Sequence, residues 1–478
     1  MLFNSLSFAI FLPIVFSIYW LLPHKYRWIL ILASSYYFYM SWNAKYIVLI
    51  LFTTCVSYGA ARLLENEKNL KKKKMILGIS AFLCLLVLFF FKYFNFVSES
   101  FTAFLEIFTI QLNPITLKLF LPVGISFYTF QTLSYVIDVY RGKIPAEKHF
   151  GYYAAFVSFF PQLVAGPIER AADLMPQIKE EHTFDYDNAA YGLKLMAWGL
   201  FKKMVIADTL SKYVSAVYDA PQKMAGFSLI LATFFFSFQI YCDFSGYSDI
   251  AAGTSRLLGI HLSTNFKSPY FSQSIKEFWS RWHISLSTWF RDYVYIPLGG
   301  NRTGKVRHAL NLLITFLASG LWHGANWTFV VWGGIHGAAQ VVENIILPEN
   351  RMKSRGIAAF FRTLFVFLFI SFAWVFFVSN SIPDALYVIK HAFDGISAPG
   401  SYIYNGYAGI GMSLSSIIKE NVFLVLLLVY DWMSLKSDVI ADCGKLKTPI
   451  RWAIYVLLSV TILFLSQKGA AEFIYFQF

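Results

Sequence analysis

Residues 278–337 read FWSRWHISLSTWFRDYVYIPLGGNRTGKVRHALNLLITFLASGLWHGANWTFVVWGGIHG. The first half is amphipathic and charged. The second half belongs to a run from Ala309 to Val342 that holds no Asp, Glu, Lys or Arg. A membrane crossing takes about 20 such residues, so the run predicts a span that is strongly tilted, bent or continued into a second half-helix. Its polar residues are ordered. Asn311, Thr315, Ser319 and His323 recur every four positions, and Asn326 follows three later. On a helix this spacing stacks side chains on one face. A polar stripe on a membrane-buried helix implies a water-filled cavity, a substrate path or a hydrogen-bonded neighbour. His323 is the titratable member of the stripe, and from the stripe alone it serves either packing or function. Gly320 and Gly324 let a second backbone approach closely.

Outward from this stretch, composition sets the class. The 478 residues are 57% hydrophobic and 14% charged, with a mean hydropathy of +0.54, which overrides the two or three soluble domains that length alone suggests. The expected fold is all-α: a polytopic helical membrane protein of roughly ten or more spans, with broken, re-entrant and interfacial helices. The net charge of +13 is explained by basic cytoplasmic loops meeting anionic lipid rather than by nucleic-acid binding, for which no basic soluble domain is present. Cys55, Cys84, Cys242 and Cys443 show no paired spacing, so neither a disulfide framework nor a metal site is expected.

Chain order adds the topology. The Lys71–Lys74 run and the basic loop Arg302–Arg307 are predicted to be cytoplasmic, with the N-terminus outside. Residues 96–112 read as an interfacial or hairpin segment. Residues 117–140, apolar yet carrying Ser126, Gln131, Ser134 and Asp138, read as a helix lining an interior, broken near Pro122 and Gly124. Pro161, Gly166 and Pro167 predict a broken segment over 150–168, and 169–186 reads as surface. Lys194, Lys202 and Lys203 read as snorkelling from an interfacial helix, with anion binding the alternative. Residues 402–412 read as an exposed loop.

Residues 227–250 carry two polar rows, Gln239–Asp243–Tyr247 and Thr233–Ser237–Tyr241–Ser245–Asp249, on nearly opposite faces. Such a helix is expected to be enclosed by protein. Asp243 is costly to bury alone; it is expected to pair with a base, orient an imidazole, or satisfy backbone groups at a helix break near Gly246.

WHGANW around His323, RWHISLSTWFRDYVYIPLGG before it and DFSGYSDIA at Asp243–Ala251 together resemble the membrane-bound O-acyltransferase family. The branch is the one containing the alginate O-acetyltransferase membrane component. FLPVGISFYTFQTLSYVIDVYRG at Phe120–Gly142, FFPQLVAGPIER at Phe159–Arg170, the opening MLFNS and the closing FIYFQF resemble the same branch.

The resemblance implies one acyltransferase domain around a central funnel or tunnel, divided into an N-terminal span bundle (1–112), a catalytic core (113–345) and C-terminal spans (346–478). It implies that His323 is the catalytic base and His283 a second functional histidine, orienting donor or acceptor. Trp322, Arg291 and Asp292 lie within the quoted motifs. With Asp243, Gln239, Ser319, Asn326 and Thr315 they are expected to line the substrate path or support it. His336, 13 residues beyond His323, is expected to serve packing or helix-end hydrogen bonding, because the two are about 20 Å apart along a continuous helix.

No bound cofactor is implied; acetyl-coenzyme A or another acyl thioester is the implied donor. The implied partners are a periplasmic or extracellular acyltransferase, a polysaccharide acceptor and membrane lipid. The implied location is the bacterial cytoplasmic membrane. D-alanyl transfer towards teichoic acid, a proton-coupled transporter and a non-enzymatic assembly subunit are the rival readings.

Overall fold

The computed structural model describes residues 1–302, 304–346, 354–467 and 473–474. Among these residues the regular structure is helical, without a strand. The chain divides into two compact units, Met1–Met196 with Ile250–Ser263 and Ala197–Asp249 with Thr264–Phe478.

In the first unit, α1 (Leu6–Leu21) starts at Ser5, whose hydroxyl accepts the Phe8 N–H. It is followed by α2 (His24–Met40), α3 (Ile47–Asn66) and α4 (Leu70–Leu88), the last capped by Asn69. A π-helical turn, Phe89–Tyr93, joins α4 to α5 (Phe94–Glu106). Leu70–Glu106 is therefore one 37-residue apolar element, where the sequence suggests a separate interfacial or hairpin segment after residue 95. A π turn takes up an extra residue without ending the helix.

α6 (Ile125–Tyr140) begins at Gly124, with φ of 74°. A Cβ there would lie 2.5 Å from the Leu163 carbonyl oxygen, so glycine alone fits both the backbone and the space. Ser126, Gln131, Ser134 and Asp138 are all buried, as an interior-lining helix requires. The next segment is broken as expected, into α7 (Phe150–Ser158) and α8 (Phe160–Leu163). The groups freed at the break are satisfied by protein. The Phe156 carbonyl accepts Gln131 Nε2 at 3.2 Å and Gln162 Nε2 at 3.0 Å, and Ser35 Oγ accepts the Phe160 N–H at 3.0 Å. Irregular backbone at membrane depth is tolerated only in that way. α9 (Ala171–Lys179) follows; it buries Leu174 and Met175, so this stretch is surface on one side only.

α10 (Tyr186–Leu200) runs into a second π turn, Phe201–Ala207, and then α11 (Asp208–Tyr218). α12 (Phe227–Leu257) is a 31-residue helix, unbroken at Gly246 where a break is one expectation, and its most apolar window is 78% buried, which accounts for polar rows on both of its sides. The short helices α13 (Ile275–Arg281) and α14 (Ile284–Phe290) lead to α15 (Lys305–His323) and α16 (Trp327–Ile346). α17 (Gly356–Val378) and α18 (Ile382–His391) come next. α19 (Pro399–Gly409) and α20 (Leu414–Ser434) form a pair bent by 88°. Residues expected as an exposed loop at 402–412 are thus largely helical. α21 (Val439–Gly444) and α22 (Thr448–Leu465) complete the described elements.

Among the described residues five helices are long and apolar enough to cross a membrane, six with the bent pair counted as one. Leu457, Leu463 and Phe464 of α22 are exposed, a surface that suits hydrocarbon and not water. The protein is a multi-pass helical membrane protein.

Candidate active site

The site of interest lies in the second unit and starts from a helical hairpin. The uncharged run 309–342 breaks at Gly324, and α16 returns antiparallel along α15. Glycines make the close return possible. A Cβ on Gly320 would lie 2.2 Å from the Phe329 carbonyl oxygen, and one on Gly333 would lie 2.3 Å from the Phe316 carbonyl oxygen. His323 is the last residue of α15 and 3% exposed. Aromatic rings wall it: Trp322 at 5.0 Å between centroids, Trp332 at 5.1 Å and Phe377 at 5.4 Å.

His283 sits between α13 and α14 and is fully buried. Its backbone is left-handed, φ 42° and ψ 54°, a conformation uncommon outside glycine, asparagine and aspartate. Strained backbone of this kind persists where the surroundings over-determine it. The ring of His283 lies 6.5 Å from that of His323, 6.1 Å from Trp322 and 4.5 Å from Phe244. Two histidines forty positions apart in sequence therefore meet. One small polar group could bridge them through bent hydrogen bonds of about 2.8 Å on each side. A neutral imidazole there can take a proton from a hydroxyl and return it to a leaving group.

α12 brings Phe244 to His283, and its neighbour Asp243 to a buried ionic cluster. Asp243 Oδ1 is 2.6 Å from Lys203 Nζ, which also lies 2.8 Å from Asp208 Oδ1. Asp243 Oδ2 accepts the Ile474 N–H at 2.8 Å. Of the roles open to Asp243, the one seen is pairing with a base, together with holding a backbone group from the far end of the chain. The closing FIYFQF motif is described only at Phe473 and Ile474. Phe473 packs on Phe244 and Tyr247, with centroids 5.7 and 4.9 Å apart.

The expectation that Lys202 and Lys203 snorkel is corrected. Both are buried, 4% and 6% exposed. Lys202 Nζ lies 2.7 Å from Asp249 Oδ2 and donates to Ser245 Oγ at 2.8 Å. The π turn Phe201–Ala207 turns consecutive lysines inward, and Gly246 of α12 lies against it. A Cβ at 246 would be 2.7 Å from the Gly199 carbonyl oxygen.

Of the remaining candidates, Ser319 is buried one turn before His323. Thr315 Oγ1 donates to the Asn311 carbonyl, and Asn311 Nδ2 donates to the Gly300 carbonyl at 3.0 Å. Asn326 holds the hairpin loop: its Oδ1 accepts the Thr328 N–H and its Nδ2 donates to the Asn380 carbonyl. Gln239 lies one turn before Asp243 on α12. Arg291 and Asp292 pair with each other at 2.8 Å, with Arg291 largely exposed. The helix breaks after His323, and α16 carries His336 down beside Phe316, 6.3 Å away, while the Trp332 ring contacts both histidines, 5.1 Å from His323 and 4.9 Å from His336. Trp279 Nε1 donates to His336 Nδ1 at 3.3 Å, so His336 is held between Trp279 and Trp332. Sequence reasoning missed Trp332 and Phe377, whose spacing is indistinguishable from ordinary core. It also missed Lys203 as the partner of Asp243.

Residues 146–381, which contain both histidines, match the membrane-bound O-acyltransferase family. The chain is 34% identical to a probable alginate O-acetylase of Azotobacter vinelandii, over 100% of both chains. It is 33% identical to a peptidoglycan O-acetyltransferase of Helicobacter pylori, over 100% of this chain and 98% of that one. A teichoic acid D-alanyltransferase of Streptococcus thermophilus is 28% identical over 54% of this chain and 65% of its own. Full-length likeness at this level, with the paired histidines inside the matched region, means that the chain belongs to the membrane-bound O-acyltransferase family and is an O-acyltransferase.

Proposed function

We propose that this O-acyltransferase transfers acetyl groups for the O-acetylation of a cell-surface polysaccharide, from a bacterial cytoplasmic membrane. The observation that carries the reading is the buried meeting of His283 and His323, with rings 6.5 Å apart between Phe244, Trp322, Trp332 and Phe377.

The donor is an acetyl thioester, with acetyl-coenzyme A the natural candidate, arriving from the cytoplasmic side. His323 takes the proton of an acceptor hydroxyl as its oxygen attacks the thioester carbonyl. The C–S bond breaks, the thiolate leaves with that proton, and an oxygen ester remains. Positioned base catalysis contributes roughly 10²–10⁴ in rate. His283 orients the carbonyl or the hydroxyl. The immediate acceptor is a partner acyltransferase on the outer side or the polymer itself. The two full-length relatives named for O-acetyl transfer support acetyl as the group moved. The relative named for D-alanyl transfer aligns with only about half the chain, so that reading is the weaker one.

The test uses membranes containing the full chain, supplied with radiolabelled acetyl-coenzyme A, with and without a candidate partner and polymer. Chain-dependent label on a hydroxyl acceptor is expected. Transfer of D-alanine in place of acetyl, or no acyl transfer with any partner, would overturn the reading.

A further inference from the structure

His283 caps α14 with its backbone but not with its side chain. The first N–H groups of a helix need acceptors, and here they come from a distant residue, Asn265. The Asn265 carbonyl accepts the Ile284 N–H at 3.0 Å. Its side-chain Oδ1 accepts the Ser285 N–H at 3.2 Å and the Ser285 hydroxyl at 2.7 Å. Its Nδ2 donates to Ser248 Oγ on α12 at 3.3 Å. Asn265 is 2% exposed, so each of these bonds is shielded from water. A second tie, from the Lys267 N–H to the Arg281 carbonyl at 3.0 Å, closes the same loop on the other side of His283.

A capping asparagine normally precedes its own helix. Here the cap is supplied from eighteen residues upstream, and the residue at the cap position is a histidine in left-handed conformation. That conformation aims the His283 imidazole at Trp322 and His323; in extended backbone the same side chain would leave at a different angle. We infer that Asn265 is the positioning residue for His283: its carbonyl and carboxamide lock the left-handed turn and reference it, through Ser248, to the helix that carries Asp243 and Phe244. The inference rests on the reading that His283 acts in acyl transfer.

The test is a double-mutant cycle on the purified full-length protein, following acetyl transfer per folded molecule. Asn265→Ala removes the side-chain acceptor and should lower kcat by about ten- to a hundredfold, the scale of a misplaced catalytic group, with the donor KM little changed. Asn265→Asp keeps both acceptor functions but loses the Nδ2 donor to Ser248 Oγ, so its rate should lie between those of Asn265→Ala and the unchanged protein. In a His283→Ala background, Asn265→Ala should cost nothing further, because the two act as one unit. If Asn265→Ala does not yield monodisperse protein, Ser285→Ala removes only the hydroxyl bonded to Oδ1. It should then show a smaller loss that likewise disappears in the His283→Ala background. Equal losses in both backgrounds, or a full rate for Asn265→Ala, would overturn the inference. A full rate for His283→Ala alone would show instead that the reading beneath it is wrong, and the inference would fall with it.

Discussion

Replacing Lys203 by methionine takes one cation from between two carboxylates while leaving most of the side-chain volume in place. Lys203 Nζ lies 2.6 Å from Asp243 and 2.8 Å from Asp208, and the side chains are 8%, 4% and 4% exposed. Removing one member of a buried pair costs about 3–5 kcal/mol, because the partner left behind is an uncompensated charge. Here two partners are stranded, so Lys203→Met should reach that range. Asp243→Asn is milder. Lys203 keeps Asp208, and the amide oxygen can still accept the Ile474 N–H. The loss is then that of a charged hydrogen bond, about 1.5–3 kcal/mol. The order of stability is therefore wild type, Asp243→Asn, Lys203→Met, read as the midpoint of heat-induced loss of the monodisperse peak in detergent. Turnover per surviving molecule should fall only in part for Asp243→Asn. Equal midpoints for all three proteins would refute the ionic account. Abolished turnover in well-folded Asp243→Asn, with activity kept in a His323 variant, would reverse the assignment of the base.

Two further outcomes follow from geometry and charge. With the four native cysteines replaced, single cysteines at Lys72 and Lys305 should resist an impermeant reagent in intact cells and react in inverted vesicles; labelling of either in intact cells would contradict the orientation. Gly333→Ala puts a Cβ 2.3 Å from a backbone oxygen of α15 and should cost at least the about 1–3 kcal/mol of an overpacked core. Gly59→Ala, with open space around it, should leave stability unchanged or raise it by about 0.5–1 kcal/mol; a Gly333→Ala protein as stable as this control would argue against the tight hairpin.

What the sequence made legible was whatever an α-helical period carries. The break around Pro161 was also legible, from proline and glycine chemistry, while the four-residue stripe ending at His323 and the enclosed helix with two polar rows depend on the period. It failed where the period changes. The π turn at Phe201–Ala207 shifts the helical phase, so Lys202 and Lys203, which look like two faces of an interfacial helix, both turn inward to carboxylates. The π turn at Phe89–Tyr93 hid the continuity of α4 with α5 in the same way. The approach of His283 to His323 was legible only through the motifs, since no local spacing encodes a contact across forty residues. The left-handed backbone at His283, and the Asn265 bonds around it, leave no compositional trace.

The measurement closest to the central claim is acetyl transfer by His323→Gln, alongside the yield of monodisperse protein. Glutamine keeps a hydrogen-bonding side chain in the aromatic cage, so the protein should fold and insert as before. Removal of the imidazole takes away the base, and the rate should fall by at least about 10²-fold, the lower bound for a positioned base. Near-wild-type acetylation by folded His323→Gln would contradict the account: the chain would then be a scaffold or conduit, with the chemistry done elsewhere.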